Sequence, residues 1–380
     1  MKTRIDHCRI VTPGRDLAEG SLLLEDDRIA AVGPEVSGAA DKVIDGSGLI
    51  AAPGFIDIHS HGRSNCDFCD GTPEAFARIG RDKLKDGVTG FLATSLSVAE
   101  EDLEKLCGEA EHYKRSVPDG ATLLGVHLEG PFFTPSCAGA QNPAFLKLPD
   151  IRLVEKLNAV SPVKKVSFSP ELPGGIGFTR ELAARNIMPS GGHSEADYAC
   201  FEAARQAGMK HLTHFCNVMT PVHHLRFGMV GGGLMADDVY VEMICDGVHL
   251  CDQMIQLIAK LKGPERMMLI TDSMRAAGMP DGDYSLGGLP VVVKGGCARL
   301  TTGQVAGSTL RYYAGFQRLV RLTGLPLAEA VRATSLNQAE SLKLGKRGRL
   351  EPGYVADIVL LTAELEVAKT ICSGEVRYEA

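Results

Sequence analysis

Apolar residues along this chain fall into two patterns. Ile5 to Val11, Ser21 to Glu25 and Arg28 to Val32 are short aliphatic runs broken by Gly, Pro or Asp, as short β-strands are. The last thirty or so positions behave alike, with runs at Ile358 to Leu361 and Val367 to Ile371 separated by Gly and charged turns. Neither end is long enough to bury a core of its own. The two are therefore expected to meet in space as one small β domain, positions 1–53 with 347–380.

Between them, over positions 54–346, strand-like runs alternate with amphipathic helical stretches. The strands are expected at Phe55–Ile58, Val88–Thr94, Thr122–Leu128, Val163–Ser169, Asn186–Pro189, Lys210–Thr213, Val239–Ile244 and Met267–Thr271. Helical spacing occupies Pro73–Lys85, Ala99–Arg115, Glu195–Ala207 and Asp252–Leu261. Pro73 fits a first helical turn, where the N–H it lacks would be unpaired anyway. Eight strands alternating with helices favour an α/β fold of the (β/α)8 TIM-barrel type over an open doubly wound sheet.

Composition narrows the function classes. At 380 residues, 44% hydrophobic and 23% charged, the chain reads as an ordinary globular protein with ample core. A formal charge of −7 offers no basic field for nucleic acid. No apolar run approaches the roughly 18–20 residues of a membrane span. Eleven unpatterned Cys and a start without an apolar leader point to a reducing cytoplasm.

The chemistry lies where the His and acidic residues fall. His59 and His61 follow the first strand in GFIDIHSHG, and Glu129 follows the third in GVHLEGPF. His193 follows the fifth, His214 the sixth, and Asp272 the eighth in LITDSM. All stand at C-terminal strand ends, the face on which barrel enzymes build their active sites. Four imidazoles and a carboxylate converging there form a metal site by ligand type, suited to Zn²⁺ or a similar divalent ion. The HxH spacing lets both imidazoles address one ion if the strand continues through them. Asp272 beside such a site can take a proton from water and return it to a leaving group. The same residue can also serve as an N-cap.

The set PGFIDIHSHG, HLEGPF, GGHS, THFCN, DGVH and LITDSM resembles the amidohydrolase superfamily. HLEGPF with AAGMPDGDYSLGG and VAGST is similar to its N-acetylglucosamine-6-phosphate deacetylase family, over essentially the whole chain. LIAAPGFID and GRLEPGYVADIVLL are similar to the split β-sandwich that flanks such barrels. The resemblance implies hydrolysis of the N-acetyl group of an amino sugar 6-phosphate to acetate and the free amine. A different acetylated amino sugar or small N-acyl compound is the alternative substrate. It implies a main metal held by Glu129, His193 and His214, a second at His59 and His61, and Glu129 as the bridge. Zinc is the first candidate, with iron, cobalt or manganese as alternatives. It further implies sugar and phosphate contacts from Ala140, Gln141, Asn217, Val218, His249, Val305, Ala306 and Gly307, and a homodimer.

Two stretches depart from the family pattern. Asn217-Val218-Met219 stands where Asn-Ala-Met is usual. His223-His224-Leu225-Arg226-Phe227-Gly228 replaces an Arg-Glu-Pro-Gly type stretch whose Arg reaches the phosphate in the neighbouring subunit. Arg226 is its counterpart, shifted by one position. Other signals read as structural. Cys66 and Cys69 form a single CxxC without the second pair of a structural zinc site. The runs Gly174-Gly175-Ile176-Gly177 and Gly231-Gly232-Gly233 match no phosphate-binding spacing. His127 shares the face of Glu129 and is placed to support it, His211 belongs to the barrel interior, and His7 and His112 to the surface.

Overall fold

The computed structural model describes residues 1–116 and 119–380. Eight parallel strands in sequential order form the central sheet: Phe55–Asp57, Val88–Thr94, Thr122–Glu129, Val163–Phe168, Met188–Gly191, His211–Leu212, Tyr240–Met243 and Met267–Leu269, here strands 1 to 8. Backbone contacts between the ends of strands 8 and 1 close the ring. The Asp272 N–H donates to the His59 carbonyl at 2.9 Å, and Ser60 pairs with Ser273. Helices Pro73–Leu84, Glu100–Arg115, Tyr198–Ala207 and Asp252–Lys262 fall on the expected stretches. Thr72 caps the first of them, its hydroxyl accepting from the Ala75 N–H, with Pro73 in the first turn.

The chain ends join as expected. Lys2–Thr12, Arg15–Glu25, Arg28–Gly33, Lys42–Asp45 and Ile50–Pro53 share one hydrogen-bonded sheet with Ile358–Leu361, Val367–Cys372 and Glu375–Glu379. The link is antiparallel pairing of Ile50–Pro53 with Ile358–Leu361. Side chains of this junction alternate between two cores. Ala51, Ile358 and Leu360 pack with Ile5, Leu22 and Leu24, whereas Ile50, Ala52, Val359 and Leu361 pack with the barrel. A strand buried on both faces reads as an unbroken apolar run, which is why IVLL shows no polar alternation.

Three strands were not anticipated after strand 8: Gly282–Leu286, Leu289–Lys294 and Cys297–Leu300, an antiparallel sheet. Each turn is a Gly-Gly pair, Gly287-Gly288 and Gly295-Gly296, with all four φ angles between 55° and 80°. Two successive positive φ values match the right-handed strand twist and favour Gly. Leu286, Val291, Val293 and Leu300 pack with Leu96, Met274 and Ala306, fixing this sheet over the barrel mouth.

Tyr312, at the start of helix Tyr312–Thr323, ties strands 1 and 8 from outside. Its ring stacks on Phe55 at 5.1 Å, and its hydroxyl lies 2.9 Å from the Leu269 carbonyl, 3.1 Å from Thr334 and 3.3 Å from Ile56. Tyr312→Phe keeps the stack and removes the donor. It is expected to destabilise the protein by about 1–2 kcal/mol, read as a lower urea midpoint. An unchanged midpoint would remove that hydroxyl from the closure of the barrel.

Candidate active site

Glu129 closes strand 3 and is the centre of the site. Its Oε1 lies 3.3 Å from His59 Nε2, 3.2 Å from His214 Nε2 and 3.5 Å from His193 Nε2. Its Oε2 lies 3.1 Å from His61 Nε2. Asp272 Oδ1 approaches the same two imidazoles of strand 1, 3.1 Å from His61 Nε2 and 3.5 Å from His59 Nε2. All six side chains are buried. The six candidates from five strands thus meet, although strand 1 ends at Asp57 and the HSH segment lies just beyond it. The paired HxH geometry comes from the Ser60–Ser273 bridge rather than from continued strand alternation.

Local backbone is strained at this mouth. His193, His214 and Asp272 have φ of 48°, 32° and 49°, in the left-handed region that non-Gly residues seldom enter. Val218, β-branched, joins them at 50°. Each such residue costs on the order of 1–3 kcal/mol, and such residues cluster at functional sites. Sharp turns here aim the side chains back across the mouth.

The donor set fits a divalent metal. Ligand atoms of His59, His61 and Glu129 lie within 4.8 Å of one another, and so do those of Glu129, His193 and His214. His193 Nδ1 is 2.8 Å from the Cys137 carbonyl, so it carries the proton and leaves Nε2 with a free lone pair. His59 Nδ1 lies 3.1 Å from the Glu242 carboxylate, and its buried Nε2 has no hydrogen-bond partner. His214 Nε2 and His193 Nε2 are 3.0 Å apart. Several imidazole nitrogens and one carboxylate directed at a single buried volume form a donor set that a divalent cation would suit.

Charge follows from the same crowding. Burial pulls the His59 imidazole down, but Glu129 and Asp272 outweigh it and carry it up to about 9. His61 is also raised against its burial, by Asp272 and Glu129. Burial raises the Glu129 carboxyl, yet the surrounding imidazoles hold it well below its ordinary value. Asp272 is lowered in the same way, His59 and His61 overcoming its desolvation. Both carboxylates are thus ionised. His127 donates or accepts at Ser167 Oγ, 2.7 Å, and Thr94 Oγ1, 3.3 Å, and packs edge-on to His59. Burial, then the Lys165 charge, holds it well below the usual range, so it is a neutral supporting side chain.

A cavity of about 230 Å³ opens above these groups, lined by His61, Glu129, His193, His214 and Asp272. Ala140, Gln141, Asn217, Val218, His249, Val305 and Gly307 also line it, as do Leu96, Gly139, Leu286 and Gln304. Ala306 does not; it is fully buried under the added sheet, its N–H bonded to the Ala298 carbonyl. Gln141 has both amide ends engaged: Nε2 donates to Glu129 at 2.6 Å, and Oε1 accepts from the Ser97 N–H at 2.7 Å. It therefore orients Glu129. His249 Nδ1 is held by Asp246 at 2.7 Å.

Arg226 does not line this cavity. It sits on the exposed hairpin Val222–His223/Arg226–Phe227 and lines a separate groove with Tyr198 and Phe227. The hairpin is apolar as well as exposed, with Leu225 79% accessible. Sequence reading missed Glu242 on strand 7 and Lys165 on strand 4, a buried ion pair behind His59. The available signal was a lone acid in VYVEMI and a lysine in VKKVSF, charges of opposite sign inside otherwise buried strands.

The Amidohydrolase family profile matches residues 50–377. N-acetylglucosamine-6-phosphate deacetylase of Lysinibacillus sphaericus is 34% identical over 368 residues, covering 96% of this chain and 95% of the relative. N-acetylgalactosamine-6-phosphate deacetylase of Escherichia coli O157:H7 is 35% identical over 374 residues, covering 97% of each. Among solved structures, a variant of N-acetyl-D-glucosamine-6-phosphate deacetylase from Mycobacterium smegmatis, in complex with N-acetyl-D-glucosamine-6-phosphate, superposes with a TM-score of 0.91. It is 31% identical and covers 99% of both chains. Barrel and terminal sheet are thus shared features, and the chain belongs to the amidohydrolase family, among the N-acetylglucosamine-6-phosphate deacetylases.

Proposed function

We propose that this protein is a metal-dependent deacetylase of an amino sugar 6-phosphate, N-acetylglucosamine 6-phosphate first, releasing acetate and glucosamine 6-phosphate. The observation that carries the reading is Asp272, an ionised carboxylate on the same cavity as the Glu129-centred imidazoles. Glu129, His193 and His214 would hold one divalent ion, and His59 and His61 with Glu129 a second, zinc being the first candidate. An ion held there supplies Lewis acidity towards water and towards the acetyl carbonyl.

The side chains do the rest. Asp272 takes the proton of the attacking water and gives it to the departing sugar nitrogen, which as a bare amide anion is a poor leaving group. Gln141 keeps Glu129 in place. His249, its Nδ1 fixed on Asp246, offers Nε2 to the substrate, and Asn217, Val218, Val305 and Gly307 border the sugar. N-acetylgalactosamine 6-phosphate is a second reading, supported by the Escherichia coli O157:H7 relative. Acetate release from both sugar phosphates and from the unphosphorylated N-acetyl sugars decides between them. Equal rates with and without the phosphate would sink the sugar-phosphate assignment.

Asp272→Asn is nearly isosteric and cannot carry the proton. It is expected to keep its metal content, by elemental analysis, while turnover falls about 10²–10⁴-fold. Near-normal turnover would remove Asp272 from proton transfer.

Phosphate recognition is assigned to Arg226 acting in a homodimer. The guanidinium is exposed, has no hydrogen bond or ion pair among the described residues, and rides on a hairpin with apolar side chains in solvent. Such a fork matches two phosphate oxygens. Arg226→Ala should raise KM for the 6-phosphate about 10–150-fold, the equivalent of roughly 1.5–3 kcal/mol, and leave an unphosphorylated analogue nearly untouched. Mixed with Asp272→Asn, it should regain phosphate preference, because each hybrid dimer pairs one intact Arg226 with the intact Asp272 of the other chain. An unchanged KM in the single variant rejects the assignment, and a monomer in light scattering rejects action across subunits.

A further inference from the structure

Neither binding nor proton transfer uses the ion pair beneath His59. Glu242 and Lys165 are both completely buried, and a buried ion pair is often no more stable than apolar residues of the same volume. Their contacts suggest another use. The Lys165 ammonium donates to Glu242 Oε1, and the His214 backbone N–H lies 3.3 Å from Oε2. Both partners can only donate. The carboxylate is therefore an acceptor at both oxygens, and His59 Nδ1, 3.1 Å from Oε2, must be the donor. With Nδ1 committed as the donor, Nε2, facing Glu129, is the nitrogen left to ligate an ion. The other imidazole of the pair has no such support, since His61 Nδ1 is buried without a partner.

We propose that the Lys165–Glu242 pair is a positioning device that makes His59, His61 and Glu129 competent to hold a second ion. The inference rests on the metal-site reading above. It is selective: His193 takes its tautomer from the Cys137 carbonyl, and Glu242 touches only the backbone of His214. Hydrogen-bond partners behind a metal-ligating imidazole typically change metal affinity about 10–100-fold when removed.

The test is a cobalt titration of chelator-stripped protein, followed by visible absorption and checked by elemental analysis. The wild type is expected to take two equivalents. Lys165→Met/Glu242→Met, which fills the space with apolar chains, should bind the first normally and the second about 10–100-fold more weakly. Lys165→Met/Glu242→Gln retains an amide oxygen that can accept from His59, and should recover most of that loss. A second equivalent of wild-type affinity in the Met pair, or no recovery in the Gln pair, overturns the proposal. Loss of both equivalents in a folded Met pair also overturns it, because selectivity is then gone. A wild type that takes a single equivalent overturns it while leaving the deacetylase reading standing; no bound metal at all would sink both. Histidine ¹⁵N spectra of the zinc-loaded wild type give a readout that needs no variant to fold. Nδ1–H at His59 is expected there, and Nε2–H overturns the proposal.

Discussion

A carboxylate taken out of water beside a second one is unstable unless the surroundings supply positive charge or strong donors. Glu129 and Asp272 are in that position, both buried and both within 3.5 Å of the same His59 imidazole. Much of the barrel mouth can be understood as the answer to that problem. Four imidazoles surround the two acids, and Gln141 donates to Glu129 Oε2, the oxygen that also faces His61. The same arrangement that makes the anions tolerable gathers imidazole nitrogens on one volume, so the electrostatic requirement and a geometry able to hold a metal have one cause.

That requirement propagates outward. Bringing side chains from separate strands to one carboxylate forces sharp turns, and His193, His214 and Asp272 accept left-handed backbone to make them. Those turns are held by neighbours rather than by local preference. The Ser169 hydroxyl donates to the His193 carbonyl at 2.5 Å, and the Asp272 N–H donates to His59. Strain at the site is thus balanced by the ladder that closes the barrel.

The barrel strands were legible because parallel strands covered on both faces become aliphatic runs of recognisable length. The candidate metal-site residues were legible because each follows such a run. What the sequence does not announce is of two kinds. The sheet Gly282–Leu300 was hidden by its turns: Gly-Gly pairs look like loop until seen as two-residue hairpins, and LPVVVK alternates buried and exposed positions as an edge sheet should. Glu242 and Lys165 were hidden for a different reason. A charge in a strand announces burial or exposure only once its partner is known, and these two are 77 residues apart.

The terminal sheet also has a part in the chemistry. Strand 1 leads into the HxH segment, and its entry is fixed by residues from the far end of the chain. The Gly54 N–H donates to the Asp357 carbonyl at 2.9 Å, and Pro53 pairs with Ile358. Gly54 leaves no room for drift, since a Cβ there would stand 2.3 Å from Thr89 Oγ1 on strand 2. Asp357 in turn accepts from the Arg347 guanidinium and from the Ser373 N–H. Because Val359 and Leu361 pack into the barrel while Ile358 and Leu360 pack into the terminal core, this strand cannot shift without disturbing both. From Gly54 to His59 every residue is buried. The last part of the chain therefore sets where the first pair of imidazoles can stand, and a sheet with no residue in the cavity helps decide the geometry inside it.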